Sequence, residues 1–285
     1  MKLVCGVYDW HRIFPACCLI VGLWALAGCR FSAATTDTPA APTSTIWQPT
    51  HIPTPSARER VSFEGVGFDY EPSLAQEVHP SVVPAYIAPG FTSSPEYIKF
   101  DFSGYPAQND AQAPRIEVYA VEAYADLSSS FRSKAEQLKR FLAEKPVALP
   151  ADAEIPVLIF SDVTQVVRVQ VAYLPFQNGS GVRFIAAYKQ VYDPPITNSR
   201  IFYVFQGFTD DGKFYVIAIF PVAADILFDS EKSLSPDQQA QLVKQMDDFD
   251  AYVEETTQRL EKLAPRDFLP NLSLLDALLQ SLHIQ

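Results

Sequence analysis

The strongest constraint on the fold is a pair of apolar segments joined by an Asp-Gly turn. These segments are residues 201–208 and 213–220, and Asp211-Gly212 lies between them. An Asp-Gly pair between apolar segments is the strongest short-range signal of a β-hairpin, because both residue types tolerate a positive φ. Each segment is apolar on both faces, which predicts central strands that are covered on each side.

Further segments extend this pattern of strands. Glu64-Gly65 separates two short alternating segments and predicts a tight hairpin. Residues 177–181, Gln-Asn-Gly-Ser-Gly, are rich in residue types that accept a positive φ, and they predict the connection of a second long hairpin. The remaining predicted strands are residues 61–63, 66–70, 96–105, 116–124, 163–176 and 182–188.

Three segments have helical spacing instead. Apolar residues in 127–144 recur every three or four positions, and Pro146 ends the pattern. Residues 235–238, Ser-Pro-Asp-Gln, form a capping box with proline at the first helical position. This box predicts the start of a long amphipathic helix that continues to Leu263. Residues 273–282 predict a shorter helix at the end of the chain.

The order of these elements predicts an α+β fold, in which an antiparallel sheet is built from hairpins and helices pack on it. We expect one α+β domain at residues 58–285, including the long amphipathic C-terminal helix. The order of hairpin, strands, helix, two hairpins and C-terminal helix resembles the PsbP-like fold. This resemblance implies a scaffold for protein binding and assembly, although a fold alone does not define a function.

The N-terminal residues 1–28 have the organisation of a secretory signal peptide. Residues 1–12 carry two cations, and residues 13–28 form an apolar segment shorter than the about 20 residues that a membrane-spanning helix needs. The segment ends in Leu26-Ala27-Gly28-Cys29, which resembles the lipobox of bacterial lipoprotein precursors. This resemblance implies cleavage before Cys29 and lipid on its thiol. An uncleaved signal anchor and an ordinary signal peptide are the alternatives.

A tether is expected between the lipid and the domain. Residues 29–57 are mostly Thr, Pro, Ala and Ser, without the period of a helix or a strand. As a flexible coil, this segment spans on the order of 30 Å between its ends. We therefore expect an extracytoplasmic domain that is attached through lipid on Cys29 to the cell membrane, or to the outer membrane if the host has one.

The distribution of cysteines and charge excludes several kinds of site and partner. All four cysteines, at positions 5, 17, 18 and 29, lie at or before the expected cleavage point. The expected mature domain therefore has no disulfide and no cysteine-based zinc site. The formal net charge of −11 produces a field that repels nucleic acid and anionic lipid headgroups. We expect no nucleic-acid partner.

The motifs of common enzymes are absent or fail in their context. Residues 207–213 fit the G-x-x-x-x-G-K pattern of a phosphate-binding loop. However, Phe214 replaces the hydroxyl residue that binds magnesium, and the pattern predicts a strand after the lysine instead of a helix. The same residues are better interpreted as a hairpin. The G-x-S-x-G pattern of acyl-transfer enzymes does not occur.

Histidines and carboxylates indicate no catalytic or metal site. His79 is the one histidine inside the expected domain apart from the C-terminal His283, and its neighbours predict a surface loop. The acidic residues between positions 247 and 255 predict a solvated helix face, because a helical backbone cannot offer carbonyls to calcium. Asp210 and Asp211 fit the chemistry of a turn. We therefore predict no catalytic, cofactor or metal residue, and Cys29 is the only predicted site residue.

Three functions remain open at this point. The first is a noncatalytic envelope lipoprotein whose domain binds or assembles another protein, and the alternatives are a solute-binding lipoprotein of a transporter and a carboxylate-dependent hydrolase. Sugar binding is disfavoured because all three tryptophans, at positions 10, 24 and 47, lie outside the expected domain. Tyr86, Tyr97 and Tyr105 are the other aromatic candidates for a sugar platform.

Overall fold

The computed structural model describes residues 57–87, 93–109, 111–150, 153–160 and 162–285. The chain divides into two compact units, and all of these residues belong to the second unit, Pro53–Gln285. The predicted signal peptide, the lipobox with Cys29 and nearly all of the predicted tether lie outside the described residues.

The elements follow one another in this order: β1 (Glu59–Phe63), β2 (Val66–Tyr70), β3 (Glu77–Val83), β4 (Tyr97–Ser103), β5 (Arg115–Ala120), α1 (Val121–Leu127), α2 (Ser129–Glu144), β6 (Thr164–Phe176), β7 (Gly179–Lys189), β8 (Phe202–Thr209), β9 (Phe214–Pro221), β10 (Ala223–Ala224), α3 (Pro236–Gln245), α4 (Phe249–Glu261), β11 (Phe268–Leu269), α5 (Leu272–Gln280) and β12 (His283–Ile284).

A seven-stranded antiparallel sheet forms the centre, with strand order β3-β4-β5-β9-β8-β7-β6. The hairpin of β8 and β9 turns at Asp211-Gly212 and lies in the middle of the sheet, and both strands are buried on both faces. The predicted α+β fold with an antiparallel sheet built from hairpins is therefore confirmed. The first predicted hairpin is also confirmed, because Glu64 and Gly65 turn between β1 and β2 with φ of 47° and 77°.

Each face of the sheet has its own hydrophobic core. On one face, α4, α5 and the small sheet β1-β2-β12 pack against residues such as Tyr203, Phe205 and Phe220. On the other face, α1, α2 and the segment 153–160 pack against Phe184, Val204 and Ile217. This two-sided burial explains why the central strands are apolar at nearly every position.

The structure corrects the predicted bounds of one strand and one loop. The strand predicted over residues 116–124 ends at Ala120, and α1 begins at Val121. The loop predicted over residues 177–181 is shorter, because β7 begins at Gly179. Gly181 lies inside that strand, where an added Cβ would be 2.3 Å from the Gln206 carbonyl oxygen. Glycine is needed there for close approach to β8 and not for a loop.

The long C-terminal helix is divided into α3 and α4. The capping box at its start is confirmed, since the Ser235 hydroxyl accepts from the Gln238 N–H and the Gln238 side chain accepts from the Ser235 N–H. The division comes from Asp248, whose carboxylate accepts a hydrogen bond from the Ala251 N–H and caps a new helix. Aspartate is a favoured N-cap residue, and its side chain competes with helix continuation.

A buried ion pair attaches α5 to the sheet. The Arg183 guanidinium on β7 is almost fully buried, and its Nε lies 3.2 Å from Oδ1 of Asp276 on α5. The Tyr203 hydroxyl donates to the same Asp276 oxygen at 2.8 Å, and Arg183 also donates to the Gln170 carbonyl. Burial is the main cause that raises the pKa of Tyr203, so this phenol stays protonated.

Gln170 marks a β-bulge in the edge strand β6. The pairing of β6 with β7 shifts between Val169 and Ala172, and Gln170 has a φ of 57°. Its side-chain nitrogen lies 3.3 Å, 2.9 Å and 2.9 Å from the carbonyl oxygens of Leu260, Glu261 and Leu263. Gln170 therefore caps the end of α4, where helical carbonyls have no partner within the helix.

Candidate functional site

Residues 207–213, which fit the pattern of a phosphate-binding loop, form the end of β8 and the turn that leads to β9. The hairpin interpretation is therefore confirmed. The Asp211 carboxylate accepts hydrogen bonds from the Thr209 hydroxyl at 2.7 Å and from the Lys213 N–H at 3.1 Å. These hydrogen bonds, the Thr209 one foremost, lower the pKa of Asp211 to about 2. The acidic residue thus completes a turn, and its carboxylate would repel an anion at this place.

His79 lies in the edge strand β3, so the prediction of a surface loop is wrong, although the residue is exposed as expected. Its Nε2 is 3.2 Å from the Ser103 hydroxyl and 3.7 Å from a carboxylate oxygen of Glu77. The Ser103 hydroxyl is also positioned to donate to the Glu77 carbonyl oxygen at 3.2 Å. His79 is exposed on an edge strand, without the enclosing walls that strengthen the electrostatics of a catalytic site.

The carboxylates form no metal site among the residues that the structure describes, since no group of three or more His, Cys, Asp or Glu side chains could hold an ion there. In the same residues, Glu117 is the one buried carboxylate. It accepts from Arg115 Nε at 2.8 Å and from the Tyr119 hydroxyl at 2.8 Å. Burial and this neighbouring carboxylate raise the pKa of Tyr119. The arrangement satisfies Glu117 as a structural group.

The tyrosines considered for sugar binding do not come together as a platform. Tyr97 stacks on Tyr119 with ring centroids 4.5 Å apart, and Tyr105 stacks on Phe220 at 5.7 Å. Both of these rings therefore serve packing, whereas Tyr86 is exposed beside residues that the structure does not describe.

A concave site of about 500 Å³ lies where β7 ends and β8 begins, and we call it the aromatic cleft. Its walls come from three stretches of chain outside regular elements and from the adjoining strand ends. The lining residues are Asn109, Ala111, Gln112, Ile159, Phe160, Val163, Tyr188, Lys189, Gln190, Tyr192, Pro194, Ser199, Arg200 and Phe202.

Three aromatic rings form the floor of the aromatic cleft. Tyr188 near the end of β7 and Phe202 at the start of β8 stack with centroids 5.8 Å apart. The edge-to-face contacts of Phe160 with these rings have centroid distances of 5.2 Å and 6.1 Å. The Tyr188 hydroxyl accepts a hydrogen bond from the Gln165 side chain at 2.9 Å, and burial raises the pKa of Tyr188. The floor is therefore rigid, apolar and uncharged.

Tyr192 lies at the rim of the aromatic cleft and is 63% exposed. Its chain neighbour Val191, which is not one of the lining residues, is 97% exposed. The Arg200 guanidinium donates to the Tyr192 hydroxyl at 3.0 Å and lies 5.8 Å from the Tyr192 ring centroid. It also donates two hydrogen bonds to one oxygen of Glu231, at 3.1 Å and 2.9 Å. These contacts fix the position of the Tyr192 ring at the edge of the aromatic cleft.

Lys189 and Asn109, two other polar residues of the aromatic cleft, already have partners in the protein. Lys189 pairs with Asp193, and its Nζ lies 4.8 Å from the Phe249 ring centroid. The Asn109 side chain donates to the Ile201 carbonyl oxygen at 3.1 Å and accepts from the backbone N–H groups of Ala111 and Gln112. Because both cations are paired with carboxylates, the aromatic cleft presents little net charge to an occupant.

The sequence prediction missed the aromatic cleft because its residues come from separate loops whose spacing shows no period. The one local signal is Val191-Tyr192, an apolar pair next to Asp193-Pro194-Pro195 in a segment whose other residues are typical of a polar turn.

No protein-family model matches this chain, and no curated protein matches it. None of the helices among the described residues is long and apolar enough to cross a bilayer.

Proposed function

We propose that this chain is a noncatalytic extracytoplasmic lipoprotein, anchored through lipid on Cys29, whose domain binds another protein through the aromatic cleft. The observation that carries the proposed binding site is the exposed Tyr192 at the rim of an aromatic floor, with the exposed Val191 next to it in the chain. Exposed apolar groups around a concave site are typical of interaction surfaces.

The chemistry of the rim supports a protein partner. Tyrosine and arginine are enriched among the residues that contribute most binding energy in protein interfaces. Tyr192 and Arg200 are held against each other before binding, so little side-chain entropy remains to be lost. A partner that inserts an apolar side chain into the aromatic cleft would cover the exposed ring of Tyr192.

A solute-binding protein is the second candidate. The volume of about 500 Å³ lies within the range of small-molecule sites, and the aromatic floor fits a flat, neutral solute. A carboxylate-dependent hydrolase has less support, because no described residue that lines the aromatic cleft is acidic.

Site-specific crosslinking tests the protein-binding site. A photoreactive amino acid at position 191 of the full-length lipoprotein in intact cells should give one discrete crosslinked product, and Tyr192→Ala should remove it. The matched control is position 243, since Val243 is an exposed valine on α3. Equal products from both positions would contradict the proposed site. No product from position 191, together with a thermal shift on adding flat neutral solutes, would favour the second candidate.

The lipid anchor has an independent test. Cys29→Ala should leave the precursor uncleaved and unlabelled by radioactive fatty acid, because the resemblance to a lipobox places both modifications at this cysteine. Cys18→Ala is the matched control in the same apolar segment and should be processed normally. Normal cleavage and labelling of the Cys29→Ala precursor would refute the anchor.

A further inference from the structure

A second concave surface lies on the opposite side of β6 from its partner strand, between the α2–β6 connection and α4. We call it the basic groove, because Lys145, Arg168 and Lys262 come from three different elements to line it. Its volume is about 690 Å³, and its remaining lining residues are Pro146, Val147, Leu149, Val169, Val171, Tyr173, Thr257, Gln258 and Glu261.

An apolar loop, residues 146–150 with the sequence Pro-Val-Ala-Leu-Pro, forms one wall of the basic groove. Val147 at its tip is 104% exposed and touches no core. Both ends of the loop are tied to β6, since the Tyr173 hydroxyl donates to the Pro146 carbonyl oxygen at 3.0 Å and Arg168 donates to the Pro150 carbonyl oxygen at 2.8 Å. The apolar tip is therefore held outward by specific contacts.

The basic groove is positive although the chain is acidic. Lys145 and Lys262 form no ion pair within 4.0 Å among the residues described. The one carboxylate in the lining, that of Glu261, accepts a hydrogen bond from the Gln170 backbone N–H at 2.6 Å. A local cationic patch on a chain of net charge −11 would orient the domain toward an anionic surface.

We infer that the apolar loop and the basic groove dock the domain onto a bilayer that contains anionic phospholipid. Val147 would enter the boundary between headgroups and acyl chains, while Lys145 and Lys262 would lie among the phosphates. A projecting apolar tip suits a bilayer, which accepts insertion without a matching pocket. In contrast to Lys145 and Lys262, both cations of the aromatic cleft, Lys189 and Arg200, are already paired with carboxylates.

This docking goes beyond the proposed protein-binding function and uses the lipid anchor only for delivery to the membrane. The expected tether, which as a flexible coil would span on the order of 30 Å, would keep the domain close enough for the loop to reach the headgroups. The net acidity that repels anionic headgroups from the rest of the surface leaves the basic groove as the favoured face.

The test uses residues 53–285, which form a compact unit with their own cores and contain no tryptophan. Val147→Trp adds one fluorescent probe at the tip, and Val243→Trp adds a matched probe at the exposed valine on α3. With vesicles of phosphatidylglycerol and phosphatidylcholine, the emission of the Val147→Trp variant should shift to the blue and be quenched by brominated acyl chains. The emission of the Val243→Trp variant should not change.

Charge reversal tests the groove separately from the loop. Each basic residue near an anionic bilayer contributes about a fivefold gain in binding, so Lys145→Glu with Lys262→Glu should lower vesicle binding of the untagged unit by roughly 25-fold or more. Lys232→Glu with Lys244→Glu gives the same change of net charge at other exposed lysines and should cost only a few-fold. Circular dichroism of every variant checks that the fold is retained.

Several results would overturn the inference. An unshifted emission of the Val147→Trp variant on anionic vesicles would overturn it, as would equal binding to vesicles of phosphatidylcholine alone. An equal loss of vesicle binding from the two double charge reversals would show a general effect of net charge and would exclude a specific docking face. If a photoreactive group at position 147 in cells crosslinked only to a protein and not to lipid, the apolar loop would be a binding site for that protein. None of these outcomes depends on the crosslink at position 191, so the two proposals fail separately.

Discussion

Removal of the Asp276 carboxylate should destabilise the domain strongly, because it leaves the buried Arg183 cation without its counter-charge. Arg183 is 7% exposed, and its Nε lies 3.2 Å from the Asp276 carboxylate. Breaking a buried pair by removing one partner costs about 3–5 kcal/mol. We expect the lower end, about 3 kcal/mol, for Asp276→Ala, since the Asp276 side chain is 17% exposed and water can reach the vacated site.

For a unit of this size, such a loss corresponds to a fall in Tm of roughly 6–12 °C. Urea unfolding and calorimetry of residues 53–285 measure it. The double variant Arg183→Met with Asp276→Leu replaces both charges with apolar groups and should recover most of the loss. Glu136→Gln removes the exposed pair with Lys139 and should cost no more than about 0.5 kcal/mol. A loss under about 1 kcal/mol for Asp276→Ala would refute the reasoning.

Two further predictions concern β8 and its neighbours. Gly181→Ala should lower the free energy of unfolding by about 3 kcal/mol, measured by urea unfolding, because its Cβ would lie 2.3 Å from the Gln206 oxygen. A Cβ at position 212 would meet no atom within 4 Å, so Gly212→Ala should cost only about 1 kcal/mol, through its φ of 70°. A larger loss of stability for Gly212→Ala than for Gly181→Ala would refute the packing argument. Asp211 should titrate near pH 2 by NMR and move toward 3.8 in Thr209→Val. Because the pKa of Asp211 is lowered in the folded state, the stabilisation of the fold by its carboxylate is present above pH 3.8 and is lost as the pH falls through 2. Titration of Asp211 near pH 3.8 in the unaltered protein would contradict this prediction.

The central hairpins could be predicted because their signals are local. Asp211-Gly212 and Glu64-Gly65 each combine turn chemistry with apolar alternation, and both turns are confirmed. The strand β3 was not predicted, since Pro80 weakens strand propensity and its outer position leaves most of its side chains in solvent. The switch from β5 to α1 at Val121 was missed because a β-branched residue favours a strand until tertiary packing decides otherwise.

The aromatic cleft could not be predicted because its residues are far apart in the sequence. Phe160 precedes β6, Tyr188 lies near the end of β7, and Arg200 precedes β8. Only the hairpin register brings these positions together. The basic groove has the same origin, since Lys145 and Lys262 are separated by most of the sheet along the chain.

The bulge at Gln170 also bears on how copies of this protein behave when they are crowded. An open sheet edge invites pairing with the same edge of a neighbouring chain, and β6 and β3 are the two edges of the central sheet. The bulge at Gln170 bends β6, and the Gln170 side chain donates a hydrogen bond to the end of α4. On the other edge, Pro80 removes an N–H donor from β3. The proposed lipid anchor would confine every copy to one plane and so raise the rate of encounter, and both blocked edges would keep such encounters from growing into a continuous sheet.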